Sequence, residues 1–313
     1  MNGAARAWLQ SLPGLQPGHA IAPHTTYRIG GPADFYVEVT TGLADLVAGC
    51  RRHGVPLMML GNGSNLLISD DGVEGVVARP ADGSISVTGT VVRAAAGARM
   101  VKVAQAAAAA SLTGMEWALG IPGMVGGSLH NNAGCFASDM AACVAEVNGV
   151  AADGSAATWT SAECAFAYRT SALRRGALEG GVVTAVSFQL GAGDPARIRS
   201  RMEEIQQARR RTQPVSGRST GSVFKNPPGD FAGRMVESVG MKGHRVGGAM
   251  VSLEHANFIV NAGGASARDV AELTALVQAA VRERFGVRLE TEIQVMGRWP
   301  DGIPEAFSAG AVE

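Results

Sequence analysis

Polar and apolar side chains alternate along ADFYVEV: Phe35, Val37 and Val39 fall on one side, Tyr36 and Glu38 on the other. That two-residue period predicts a half-buried strand. Thr41 to Arg52 changes to helical spacing, with a Thr cap and a Gly54 stop. The apolar run VPLMML reads as a buried strand that enters GNGSN, which puts a glycine loop at a strand end. SISVTGTVVRAAA predicts a hairpin, and the alanine-rich stretch Arg99 to Ser111 a helix stopped near Gly114. GIPGMVGGSLHNNAG has neither period and is expected to be a loop wrapped on a ligand. Strands are expected around 144–150 and 182–190. Pro195 to Arg211 predicts a charged helix with Ile198, Met202 and Ile205 on one face. A second long helix runs from Ser266 to Phe285, with Ser266 and Asp269 as a capping box and Gly286 as the stop; Val270, Leu273, Val277 and Val281 line its inner face. In the closing VRLETEIQV, Val287, Leu289, Ile293 and Val295 face one way, and Glu290, Glu292 and Gln294 the other. From periodicity alone, that polar face is a solvated strand face.

A chain of 313 residues exceeds the usual size of a single core, so two or three lobes sharing one ligand are expected. The expected division is a lead-in helix over 1–22, a first domain over 23–194, a second over 195–300 and a tail over 301–313. Lys plus Arg and Asp plus Glu balance at 27 each, which removes the electrostatic footprint of a nucleic-acid or membrane-surface binder. No apolar run approaches the roughly 20 residues of a membrane span, and the start lacks the pattern of a signal peptide. A cytoplasmic protein is expected. Cys50, Cys135, Cys143 and Cys164 match no zinc or CxxC spacing and read as buried thiols; the six histidines contain no HxxxH pair, so no metal is expected. The 42 glycines, about twice the usual share, suggest loops that hold their backbone close to a ligand.

Several short motifs compete for attention. GNGSNL supplies only the first two glycines of a dinucleotide fingerprint and is followed by LLISDDG, which has no helical period. No GxxxxGK[ST] exists. GRSTG, residues 217 to 221, matches a nucleophile elbow but is bracketed by Pro214 and Pro227. Ser222 and Lys225 form SxxK without the partner motifs of penicillin-binding proteins.

Seven strings in order, TYRIGGPADFYVEV, LGNGSNLLISDDGVEGVV, GIPGMVGGSLHNNAG, FAYRTSAL, GSVFKNP, AGRMVESVGMKGHRVGGAMVSLEHANFIVN and FGVRLETEI, resemble the UDP-N-acetylenolpyruvoylglucosamine reductase (MurB) family of peptidoglycan synthesis. The resemblance covers about residues 23 to 297. It implies an α+β chain: a vanillyl-alcohol-oxidase-type (PCMH-type) FAD-binding domain of two subdomains, then a C-terminal α+β domain for the UDP-sugar. It implies non-covalent FAD, NADPH as reductant, and a hydride that passes to the flavin and then to C3 of the enolpyruvyl group. Gly61, Asn62, Gly63, Ser64 and Asn65 would present backbone N–H groups to the flavin diphosphate. Gly123, Gly126, Gly127, Ser128, Asn132 and Gly134 would form a second wrap.

By the same resemblance Ser222 protonates C2, a role open to a serine only if it is rigidly placed beside a strongly basic intermediate. Arg169 would hold the substrate carboxylate bidentately. Glu292 would act protonated or through a hydrogen bond, since like charges raise a carboxyl pKa. Lys225, Asn226 and His255 match UDP-sugar residues. Arg209, Arg210 and Arg211 could neutralise the diphosphate or simply answer the helix macrodipole, and both readings stand. Asn131, Cys135, Phe136 and Leu173 depart from the family pattern. With only Tyr27, Tyr36 and Tyr168 in the chain and a short 173–182 stretch, it resembles the branch without a tyrosine lid loop. A monomer acting on a UDP-sugar is expected. The alternatives are an oxidase of the same flavin fold, with His130 or Cys135 as tethers, and a non-catalytic flavin or sugar-nucleotide module.

Overall fold

The computed structural model describes residues 3–178, 180–214 and 218–307. Their contacts divide into two compact units, one of residues 3–16, 35–61 and 75–209, the other of residues 17–34, 62–74 and 210–307. The units therefore interleave in sequence, and the last crossing follows Arg209 rather than residue 195.

In the first unit, the N-terminal helix is Gly3–Ser11, shorter than 1–22, and it packs on Leu43–His53. Trp8 makes the contact: its ring stacks on His53 at 5.0 Å and fills the space over Gly49. The cap of Leu43–His53 is Gly42, not Thr41; Gly42 and Gly54 both take left-handed φ, so the helix ends as expected but starts on backbone freedom instead of a hydroxyl. Strands Pro32–Val39, Val73–Pro80 and Leu57–Met59 lie side by side in one sheet. Tyr36 is buried despite its place on the polar side, and its hydroxyl donates to Glu38 at 3.0 Å. Burial pushes this phenol up to about 12.

The rest of the first unit is a five-stranded antiparallel sheet in the order Ala156–Thr160, Val144–Val150, Val182–Gln189, Val91–Ala95, Ile85–Thr88. The expected hairpin is its last pair, with Ile85 opposite Ala94. Ala156–Thr160 was not foreseen, because AATWT is too short and too small-residued to show a period. Helix Met100–Ala109 buries Met100, Val103, Ala104 and Ala107 in the core this sheet forms with Trp117, Leu129 and Phe188. Helix Pro195–Thr212 buries Ile198 and Ile205, with Met202 partly covered.

The second unit packs helix Ala267–Phe285 on the small sheet Arg245–Val246, Ala249–Val251, Ile259–Asn261. The capping box is present in both directions, and the Asp70 carboxylate accepts the N–H of Ala267 at 2.9 Å and of Arg268 at 3.3 Å. Of the expected closing strand only Gln294–Met296 forms, parallel to Leu66–Ile68. Residues 287–293 still bury Leu289 and Ile293 on one side, but their neighbour is a loop, so pairing is reduced to the Phe224–Thr291 bridge and two flanking bonds.

Two glycines lock the early segments of this unit. A methyl on Gly31 would lie 2.1 Å from the Asp70 carbonyl oxygen, and one on Gly72 would lie 2.1 Å from that of Pro32. Backbone cannot retreat as a flexible side chain can. Gly31→Ala is therefore expected to lower the unfolding free energy by about 3 kcal/mol. Gly240→Ala, where the methyl meets open space and only a positive φ is penalised, should cost about 1 kcal/mol. Urea denaturation of the two variants checks the contrast.

Candidate active site

The first glycine loop leaves the strand Leu57–Met59, and its donors are largely uncommitted. The N–H groups of Gly61, Gly63 and Ser64 donate to none of the described residues. Gly63 has φ +56 and sits against the Thr25 Cα and the His24 carbonyl, so no side chain fits there. Asn65 closes the loop: its Nδ2 donates to the Glu292 carbonyl at 3.2 Å, and its carbonyl accepts the Gln294 N–H at 3.0 Å. A strand, Leu66–Ile68, follows, so the loop is no dinucleotide fingerprint.

The second glycine stretch is not a pure loop. It contains the short helix Val125–His130, whose first N–H groups are taken by backbone carbonyls: Val125 donates to Ala98 and Gly126 to Ala96, each at 2.9 Å. This satisfies an end that the sequence, with no capping side chain, left open. Gly123 accepts the Met100 N–H at 3.1 Å. Gly134 is required by packing, since a methyl would lie 2.4 Å from Asp139 Cβ. Gly127 faces open space. The Ser128 hydroxyl is buried with no hydrogen-bond partner among the described residues. Such a group needs a partner. A flavin supplies both donors and acceptors, so this stretch and the first loop fit the group.

Asn132 is an organiser of this loop. Its amide donates to Asp139 at 3.1 Å and to the Ala167 carbonyl at 3.0 Å, and accepts the Ala141 N–H at 3.0 Å. The Ala167 bond ties it to the segment that carries Arg169. There Ala167 and Thr170 exchange backbone bonds of 3.0 and 3.1 Å, and Arg169 sits at the turn with φ 57. A non-glycine residue in that conformation costs on the order of 1 kcal/mol and is held by its surroundings. Those surroundings are visible: Arg169 Nη1 donates to the Gly134 carbonyl at 2.9 Å, Ser171 Oγ to the His130 carbonyl at 2.8 Å, and Arg174 Nη1 to Asn131 Oδ1 at 2.7 Å and to the Arg169 carbonyl at 3.2 Å. Arg174 and Ser171 were not singled out in the sequence, although Ser171 closes the YRTS string and Arg174 lies three residues beyond it.

Cys135 donates to the Trp117 carbonyl at 3.2 Å. Burial pushes its thiol up to about 11 against the pull of the Arg209 and Arg169 charges. Phe136 and Ala137 both take positive φ at the tip of a hairpin in which Cys135 faces Ser138. His130 is held neutral at pH 7, lowered by burial and then by the Arg174 charge.

In the second unit the Ser222 loop is gripped from two sides. On one, the Asn257 amide pairs with the Phe224 peptide: Phe224 N–H donates to Asn257 Oδ1 and Asn257 Nδ2 to the Phe224 carbonyl, each at 2.9 Å, while Val223 N–H donates to the Asn257 carbonyl at 2.8 Å. On the other, Glu292 N–H donates to the Val223 carbonyl and Lys225 N–H to the Glu290 carbonyl, both at 2.8 Å. Ser222 and Glu292 are thereby fixed to the same two-residue stretch of backbone. Lys225 is paired through its ammonium with Glu290, the acid the motif leaves out. Asn226 Oδ1 accepts the Ala232 N–H at 3.1 Å at the start of helix Ala232–Ser238. His255 packs on Phe258 at 4.8 Å and over Gly233, and its Nδ1 accepts the Asn257 N–H at 3.1 Å. Its pKa is lowered by burial and by Lys242, so the ring is neutral at pH 7 with its proton on Nε2. Asn257 was missed within EHANF; an Asn flanked by the buried Ala256 and Phe258 is the signal that could have found it.

Of the competing motifs, GRSTG has Gly217 outside the described residues, and neither a strand precedes nor a helix follows Arg218 to Gly221 among the described residues. The Ser222–Lys225 stretch is likewise not helical. Among the described residues no group of three or more His, Cys, Asp or Glu could hold a metal ion, and no helix is long and apolar enough to cross a membrane.

Glycine loops with uncommitted donors and a buried, unpartnered Ser128 hydroxyl in an α+β chain are the equipment of a flavin oxidoreductase. Residues 33–159 match the FAD binding domain family, and residues 213–296 match the family described as UDP-N-acetylenolpyruvoylglucosamine reductase, C-terminal domain. Similar proteins include the UDP-N-acetylenolpyruvoylglucosamine reductase of Anaeromyxobacter dehalogenans (strain 2CP-C), 45% identical over 90% of this chain and 85% of its own length. The UDP-N-acetylenolpyruvoylglucosamine reductase 2 of Symbiobacterium thermophilum is 44% identical over 88% of this chain and 90% of its own length. The crystal structure of UDP-N-acetylenolpyruvylglucosamine reductase from Thermus caldophilus superimposes with a TM-score of 0.77 at 38% identity, covering 90% of this chain and 98% of that one. The chain belongs to the UDP-N-acetylenolpyruvoylglucosamine reductase family.

Two outcomes test the site's construction. Asn257→Leu leaves the Phe224 N–H and carbonyl without partners and is expected to cost about 2–6 kcal/mol in a urea titration, since each buried orphan costs about 1–3 kcal/mol. The four thiols are all pushed up by burial, to about 11 at Cys50, Cys135 and Cys164 and about 12 at Cys143. Native protein at pH 8 should therefore react slowly with Ellman's reagent and release four equivalents only when unfolded. Because the folded state keeps these protons above the unfolded pKa of about 8.5, stability should fall as pH rises from there toward 11.

Proposed function

We propose that Arg169, Ser222 and Glu292 carry the chemistry by which this chain reduces UDP-N-acetylglucosamine enolpyruvate to UDP-N-acetylmuramate in peptidoglycan synthesis. Membership of the family makes the chain an FAD-dependent oxidoreductase that acts on a UDP-sugar with NADPH. FAD, which the two glycine loops would hold, would supply the redox chemistry between NADPH and the enolpyruvyl group. The chain's residues supply what remains. Arg169 binds the substrate carboxylate through its planar fork and opposes the charge that grows there. Glu292, protonated or hydrogen-bonded, completes the partner set without adding a bare anion. Ser222 gives its hydroxyl proton to C2.

The observation that carries this reading is the clamp on the Ser222 loop. A serine is a weak acid, and positioning is the contribution the backbone can make. The clamp supports it: Val223 and Phe224, next to Ser222, hold four backbone or amide bonds to Asn257 and Glu292.

Residues 23–194 are assigned to the flavin, 195–300 to the UDP-sugar, 1–22 to a lead-in and 301–313 to a tail. Gly61, Asn62, Gly63, Ser64, Asn65, Gly123, Gly126, Gly127 and Ser128 line the flavin in this reading, with Asn132 and Gly134 shaping the loop. Lys225, Asn226 and His255 face the UDP-sugar. The protein is a cytoplasmic monomer that binds no nucleic acid or membrane.

Anaerobic mixing tests the reaction: NADPH should bleach the flavin, and the UDP-enolpyruvyl sugar should restore its colour without oxygen. Colour that returns only on admission of oxygen would favour the oxidase alternative. Ser222→Ala should keep the flavin spectrum and the bleaching while slowing reoxidation by the sugar about 100-fold or more. Unchanged reoxidation removes Ser222 from the mechanism.

A further inference from the structure

The three arginines at the end of helix Pro195–Thr212 do not share one environment. Arg210 and Arg211 are exposed, whereas Arg209 is half-buried. Gly120 is the reason. A methyl on Gly120 would lie 2.9 Å from Cys135 Sγ, 3.3 Å from Arg209 Nη1 and 3.4 Å from Arg209 Cδ, so the missing side chain is the notch in which the Arg209 stem and guanidinium rest. Arg169 approaches the same place: its Nη1 holds the carbonyl of Gly134, the residue before Cys135, at 2.9 Å. The Cys135 thiol accordingly feels both guanidinium charges.

Several other cations have carboxylate partners: Arg201 pairs with Glu204, Arg234 with Asp230, Lys242 with Glu237. Arg209 pairs with no carboxylate and makes no side-chain hydrogen bond among the described residues. What it touches is a glycine and a thiol. Burial lowers its pKa from the ordinary arginine value. A guanidinium drawn partly out of water without a counter-ion is unfavourable, and the macrodipole at a helix C-terminus, which would be served equally well by an exposed arginine, does not account for the notch. An anionic ligand does.

We propose that Arg209 is a second anion-binding residue of the site that Arg169 serves, taking a carboxylate or phosphate oxygen of the UDP-enolpyruvyl sugar. The inference rests on the reading of Arg169 as the carboxylate residue, and it separates Arg209 from Arg210 and Arg211. Two guanidinium groups flanking one thiol match a substrate that carries a diphosphate and a carboxylate, and a fork geometry suits either oxyanion.

Flavin absorbance changes on the oxidised holoenzyme measure sugar binding. Arg209→Met should raise the Kd of the UDP-enolpyruvyl sugar about 10- to 100-fold, the usual worth of a hydrogen bond to a charged group. UDP-N-acetylglucosamine, which lacks the carboxylate, is the second arm: weakening of both ligands assigns the diphosphate, weakening of the enolpyruvyl sugar alone assigns the carboxylate, and either supports the proposal. Gly120→Ala, which fills the notch while leaving the arginine in place, should raise the same Kd, and it keeps the test open if Arg209→Met folds poorly. Unchanged affinity for both sugars, a fall in the urea midpoint with unchanged affinity, or an effect confined to NADPH bleaching overturns it. If the wild-type flavin is not reoxidised by the sugar at all, the family reaction fails instead. If it is, and the variants match it, only Arg209 is misassigned.

Discussion

The amide of Asn257, bonded to both the N–H and the carbonyl of Phe224, is the bond pair on which the Ser222 loop depends. A primary amide offers the same donor and acceptor spacing as a backbone peptide, so it can extend a ladder where no strand is available. Here it does so for a loop. Val223 and Phe224 are both buried, and a buried peptide without partners would cost more than the loop could recover elsewhere. With Asn257 in place, the loop needs no strand pairing on that side, and Asn226 is left to accept the Ala232 N–H at the start of the next helix. The price in sequence is one residue.

The first unit solves the same problem with side chains drawn from a different set. Arg169 needs a left-handed conformation to stand at its turn, and no glycine lowers the cost. Asn132, Ser171 and Arg174 hold the turn through carbonyls of Ala167, His130 and Arg169, so strain at one residue is balanced by bonds from three. The guanidinium of Arg169 returns one bond to Gly134. Loop and turn are thus one hydrogen-bonded body, and a change such as Asn131 or Cys135 is absorbed by it: Asn131 becomes the acceptor for Arg174, and Cys135 a donor to Trp117.

Much of this was legible in the sequence, and what was not has physical causes. Long periodic elements were readable: Ala267–Phe285 carries its capping box, its inner face and its glycine stop where the spacing puts them. Short elements governed by their neighbours were not. Val125–His130 is helical because Ala96 and Ala98 cap it from outside the segment, a fact no local pattern contains. Residues 287–293 keep the alternation of a strand but lack a partner strand, so period revealed the buried face and not the pairing. For the site, the ordered strings led to Arg169, Ser222 and Glu292, while Asn257, which holds the serine loop, lay unmarked inside one of those strings.

The two carboxylates of the closing segment show how far a pattern can go and where contact takes over. Alternation puts Glu290 and Glu292 on one polar face and cannot rank them. Both backbones bond to the Ser222 loop, but their partners differ: Glu290 accepts from Lys225 at its carbonyl and pairs with the same residue's ammonium, whereas Glu292 bonds to Val223 through its N–H and to Asn65 through its carbonyl. Glu290 therefore neutralises a lysine, and an ion pair half-exposed to water contributes little beyond holding that side chain in place. Glu292 is anchored through its backbone, between the serine loop and Asn65 of the first glycine loop. Contact therefore separates two acids that alternation leaves equal: one ends in an ion pair with Lys225, and the backbone of the other ties the Ser222 loop to Asn65.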